Sequence, residues 1–144
     1  MKKILILGLP VLLLFVSCKS TQSSTSTKAA KSNLSDSQRA DVTNLFFNAQ
    51  KEKILGNLNT AADLFAEVIR KDRSNAASMY ELSNIYAEQN KFSDALFFAK
   101  SAYLIDTKNV WYAISYSDIL QKNKKFNESA DVLRSEEHTS ELQS

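Results

Sequence analysis

Residues 76–109 read AASMYELSNIYAEQNKFSDALFFAKSAYLIDTKN, and the preceding residues 42–75 read VTNLFFNAQKEKILGNLNTAADLFAEVIRKDRSN, so two stretches of equal length can be laid one upon the other. Leu58, Phe92 and Phe126 fall 34 residues apart, as do Ala61, Ala95 and Ser129, and Asn57, Lys91 and Lys125. Asp72 with Asp106 and Asn75 with Asn109 keep the same interval. Unrelated residue types sharing one interval mark a structural repeat, not a local bias. Inside the quoted stretch Leu82, Ile85, Tyr86 and Gln89 stand at i, i+3, i+4 and i+7, and Leu96, Ala99, Ala102 and Tyr103 continue that rhythm. Each set places an apolar stripe on one face of a helix, so the unit reads as a helical hairpin.

Packing sharpens the expectation. Ala61 and Ala95 are small enough to let paired helices approach closely, and Leu58, Phe92 and Phe126 are expected to fill the wedge beside each turn. A lone hairpin leaves half its stripe in water; stacking buries it, and about three units are needed for stability. Repeats are expected over residues 38–133, as units at about 42–75, 76–109 and an incomplete 110–133, with an open apolar end and no evident cap.

An interval of 34 residues, with Leu82, Ser83 and Tyr86 in the first helix and Phe92, Ala95 and the run Ala102 to Asp106 in the second, resembles the tetratricopeptide repeat. In the first unit Gly56, Leu58, Ala61, Phe65 and Asp72 match as well, with Asn48 where leucine is usual; Arg73 and Thr107 stand in place of the closing proline. The resemblance implies an all-α fold, a right-handed solenoid of antiparallel helix pairs whose first helices line a concave groove. Carried over by register, the partner-binding groove positions are Phe46, Gln50 and Lys53, then Tyr80 and Asn84, then Trp111, Ile114 and Asp118. The carboxylate clamp of the chaperone-binding members is not matched, since Phe46, Gln50, Glu81, Trp111 and Ser115 occupy its positions.

The ends of the chain read differently from its middle. Met1, Lys2 and Lys3 precede an apolar run from Ile4 to Val16 that is too short to span a bilayer and is interrupted by Gly8 and Pro10, the anatomy of a secretory signal over residues 1–17. Phe15, Val16, Ser17 and Cys18 resemble the lipobox of bacterial lipoproteins, which implies lipidation at Cys18. Several acyl chains there would hold the chain at a membrane, each buried methylene contributing about 0.8 kcal/mol. Residues 18–37, rich in Ser, Thr, Gln and Lys, are too polar to repay ordering and are expected to form a disordered tether. Lys19 after the cysteine resembles sorting to the outer membrane, facing the periplasm. Residues 134–144 match, one for one, the in-frame translation of a widely used short-read sequencing adapter, so they are expected to be a non-native tail, and the natural protein to continue past Leu133.

Composition excludes much chemistry. Eighteen Lys and Arg against sixteen Asp and Glu give a net charge of +2, which supplies no field to recruit nucleic acid. One cysteine permits no intrachain disulfide and no thiolate metal cluster. The single histidine, His138, lies in the suspect tail, so no triad base is available, and Gly8 and Gly56 are too isolated for a phosphate loop. Asp63 and Glu67 share a helix face, and Lys122, Lys124 and Lys125 cluster at a turn; both groups read as solvated surface. No metal, cofactor, small-molecule substrate or enzymatic activity is expected. The expectation is a lipid-anchored envelope scaffold, by analogy one serving secretion or outer-membrane assembly, that holds a protein or peptide in its groove. The alternative is a docking or regulatory module of a longer envelope enzyme.

Overall fold

A computed structural model describes residues 34–141, with side chains as far as Ser135. The expected signal peptide, Cys18, the tether up to residue 33, the side chains of residues 136–141 and residues 142–144 lie outside the described residues. Among the described residues the chain forms six helices and no strand: α1 Asp36–Ile54, α2 Leu58–Lys71, α3 Ala76–Glu88, α4 Phe92–Ile105, α5 Val110–Lys122 and α6 Phe126–Glu141. Each helix packs against its successor, and α3 also touches α5. Connections of three or four residues force each helix back along its predecessor, so the all-α hairpin arrangement read from the 34-residue interval is the one observed.

The interval has local causes. Gly56, Asn90 and Lys124, one unit apart, all adopt positive φ, at 81°, 58° and 60°. Each closes its first helix in the same way: the amide one residue further on donates to the carbonyl of Glu52, Tyr86 or Leu120 at 2.9 Å, and the left-handed residue's own amide donates to Lys53, Ala87 or Gln121. This six-to-one closure satisfies carbonyls that the helix end would otherwise orphan. Asn75 and Asn109 open α3 and α5, their side chains accepting from the amides of Ser78 at 2.9 Å and Trp111 at 3.1 Å. Asp72 and Asp106 fold the preceding turns by accepting from the Ser74 and Lys108 amides.

The N-terminal boundary differs from the one read from composition. The Ser35 hydroxyl accepts from the Gln38 amide at 3.3 Å while the Gln38 side chain accepts from the Ser35 amide at 2.9 Å, so α1 starts at Asp36, inside the stretch expected to be tether. A Ser-x-x-Gln capping box outweighs a polar composition, because it pairs two amides at the helix start.

The core follows the register. Ala49, Ala61, Ala62, Phe65, Leu82 and Ile85 form one cluster, joined by half-buried Leu58 and Tyr86. Ala95, Ala99, Tyr116, Ile119 and Leu120 form the next, joined by Leu96, Tyr103 and again Tyr86. Ala61 and Ala95 are fully buried, as close helix approach requires. Ser129, the third residue of that series, is also buried; its hydroxyl lies 2.7 Å from that of Ser117 and accepts from Gln121 at 3.1 Å, so the polar substitution is satisfied. The wedge position departs from expectation once. Leu58 and Phe92 are half-buried, but Phe126 is 64% exposed, because no further hairpin packs on α6 among the described residues.

Candidate functional surface

Helices α1, α3 and α5 stand side by side, tied by side chains that recur at the 34-residue interval. Gln50 on α1 donates to Glu81 on α3 at 2.8 Å; one unit later Ser115 on α5 donates to Asn84 on α3 at 3.0 Å. Gln50 and Asn84 are equivalent positions, as are Glu81 and Ser115, so one geometric tie is made with a charged acceptor in the first case and neutral groups in the second. Lys53 adds an ion pair to Glu81 at 2.6 Å, with both side chains largely covered. Tyr80 on α3 packs its ring 5.4 Å from that of Tyr112 on α5. Burial first, then the nearby Asp106, Tyr80 and Glu81, raise the Tyr112 phenol above its ordinary value of 10.0.

The eight groove positions therefore divide. Phe46 turns toward α2, its ring 5.6 Å from that of buried Phe65 and in contact with the first core cluster. Gln50, Lys53, Tyr80 and Asn84 are half-buried and engaged between neighbouring first helices. Trp111 and Ile114 stand free on α5, 67% and 47% exposed, beside Val110 at 48%. Asp118, also exposed, pairs with Lys122 one turn on. A depression of about 310 Å³ lies where α1, α3 and α5 end, lined by Lys53, Asn84, Ala87, Glu88, Asp118, Ile119 and Lys122. The surface is thus apolar and aromatic toward the start of α5 and mixed in charge toward its end.

Three of the eight positions, Lys53, Asn84 and Asp118, meet in that depression, and Trp111 with Ile114 share a helix face one turn apart. Sequence reasoning missed Glu81 as a tie between units, and also Glu88 and Lys122 as lining. Glu81 was legible in principle, since it replaces Phe47 and is replaced by Ser115 in register, so an outward position turns polar wherever another first helix precedes it.

The carboxylates and lysines singled out in the sequence are exposed or paired on the surface. Asp63 is exposed, and Glu67 pairs with Arg70 at 3.2 Å. Lys122 and Lys125 pair with Asp118 and Glu128, and the Glu128 hydrogen bond holds the Lys125 ammonium above its usual range. Among the described residues no group of three or more His, Cys, Asp or Glu side chains is placed to hold a metal ion, and no helix is long and apolar enough to cross a membrane. No protein-family model matches the chain, and no curated protein sequence matches it.

Proposed function

We propose that this chain is a lipid-anchored cell-envelope scaffold of tetratricopeptide type that binds a protein or peptide partner along the row formed by α1, α3 and α5. The observation that carries the reading is the pairing of Trp111 and Ile114, exposed on one turn of α5, with a polar depression further along the same row. Large apolar side chains on a surface are the residue types that anchor interfaces, and polar groups beside them set register. A row of first helices held rigidly by Gln50, Glu81, Asn84 and Ser115 loses little freedom on binding, which favours affinity. Secretion or outer-membrane assembly is the setting drawn by analogy with other repeat-bearing lipoproteins.

Site-specific photocrosslinking in cells tests the groove. A photoreactive phenylalanine analogue at position 111 or 114 is expected to capture a discrete partner, while the same analogue at Phe97, equally exposed on a second helix, captures none. Equal capture at all three positions, or none at 111 and 114, would sink the reading. Separately, Cys18→Ala is expected to abolish both incorporation of a clickable palmitate and recovery in the membrane fraction; retention of either counts against the anchor.

A further inference from the structure

The last helix shows to solvent what its counterparts hide. Phe126, Ala130 and Leu133 on α6 occupy the register positions of Leu58, Ala62 and Phe65 on α2 and of Phe92, Leu96 and Ala99 on α4. On α2 this face is covered by α3, with Ala62 7% and Phe65 0% exposed; on α6 Phe126 is 64% and Leu133 40% exposed, and Ala130 is exposed too. The charged side chains around the strip are paired along the helix itself, Lys125 with Glu128 at 2.8 Å and Arg134 with Asp131 at 2.9 Å.

The two interfaces already present say what fits there. Where the second helix carries a small residue and then a large one, Ala62 and Phe65, the covering helix carries Leu82, Ile85 and Tyr86. Where the order is large and then small, Leu96 and Ala99, the covering helix carries Tyr116, Ile119 and Leu120. Ala130 and Leu133 repeat the first order. We infer that the α6 face is a docking surface for the first helix of a further unit of this same repeat, one with a leucine-sized, an isoleucine-sized and an aromatic side chain at the spacing found in α3. The docking continues the series of interfaces between α2 and α3 and between α4 and α5, and it is independent of the groove reading.

A second copy stacked head to tail does not supply that helix. In such a stack α1 would take the place of α3, and it offers Asn48, Lys51 and Glu52 where α3 offers Leu82, Ile85 and Tyr86. Asn48 and Lys51 lie exposed, so among the described residues the row of hairpins has one polar end and one apolar end. Pressing those groups onto Phe126 and Leu133 would strip them of water without giving them partners.

The test titrates a synthetic hairpin of residues 76–109 onto the full chain and follows amide deuterium exchange over residues 126–135. Exchange is expected to slow by roughly tenfold or more. The effect should vanish in a Leu133→Glu chain that keeps its helical circular dichroism, and a hairpin of residues 42–75 should have none. Because a free hairpin can bind too weakly through its own lack of structure, a second chain joins residues 66–109 in register after Leu133. Its Tm is expected to exceed that of the parent by roughly 5 °C or more. Absence of both effects overturns the proposal, as does equal protection by the 42–75 hairpin. Self-association of the chain that Leu133→Glu abolishes also overturns it, assigning the face to a second copy.

Discussion

The interface between α2 and α3 and the interface between α4 and α5 do the same job with exchanged volumes. In the first, Phe65 on the second helix meets Leu82 on the covering helix; in the second, the same two positions hold Ala99 and Tyr116. Ala62 and Tyr86 likewise become Leu96 and Leu120. Bulk removed from one side reappears on the other at these four positions, so both clusters stay filled, while Ala61 with Ala95 and Ile85 with Ile119 keep their residues. The lesson is that the register keeps the space between hairpins constant while the large side chains on either side of it trade places, as close packing demands.

The most disruptive way to break this comparison is to remove bulk from one side only. Phe65→Ala is expected to lower unfolding free energy by about 3–5 kcal/mol in chemical denaturation, because nothing opposite can collapse into the space. A loss below about 1 kcal/mol would mean that Phe65 is not the filler of its interface. Adding bulk to the other interface is the converse. Ala99→Phe alone is expected to cost about 1–3 kcal/mol through overpacking, and combining it with Tyr116→Leu should recover part of that loss. Strict additivity in the double-mutant cycle would remove the volume-exchange account.

The polar ties sharpen the same contrast at smaller scale. Glu81→Ala orphans both Gln50 and largely covered Lys53, whereas Ser115→Ala orphans only Asn84. The first is expected to cost about 1–3 kcal/mol and the second about 1 kcal/mol or less, since a charged acceptor is lost only in the first. Equal effects would show that the charge contributes nothing.

The turns give paired changes of opposite sign. Gly56→Ala places a Cβ at φ 81° and should destabilise by roughly 1 kcal/mol, although no atom lies within 4 Å of it. Lys124→Gly relieves the equivalent strain at φ 60° and should stabilise by a few tenths to roughly 1 kcal/mol, read as a shift in denaturation midpoint. A gain from Gly56→Ala would contradict the left-handed closure.

Base titration should show the smallest effect. Burial is the first cause that raises the phenols of Tyr86, Tyr112 and Tyr116 above the ordinary 10.0. A raised folded value favours the protonated form, so the associated stability is full below pH 10.0 and declines as pH climbs through the raised values. Tyr116→Phe should flatten part of that alkaline decline in Tm, and an unchanged profile would exclude Tyr116 as a contributor.

Much of the fold was legible because helix pairs must bury a stripe at 3.6-residue spacing and close in short turns, and both demands leave marks one unit apart. Asp72 with Asp106 and Asn75 with Asn109 were visible as an interval before their roles as turn formers and helix caps were. The left-handed closure at Lys124 was not legible, because lysine carries no such signal, whereas Gly56 carried the usual one and Asn90 the weaker one of asparagine. The capping box at Ser35 was present in the letters but overshadowed by the polar composition around it.

By itself the sequence determined the period, the helical class and the positions of the small residues at the helix crossings, because these follow from local geometry and chain order. Which groove positions remain open was decided only in three dimensions. Phe46, Tyr80 and Trp111 are all aromatic and all predicted to face the groove, yet one packs on Phe65, one packs on Tyr112 and one stands in water. Exposure depends on what the neighbouring hairpin brings to each position, and that neighbour lies a full unit away in the chain.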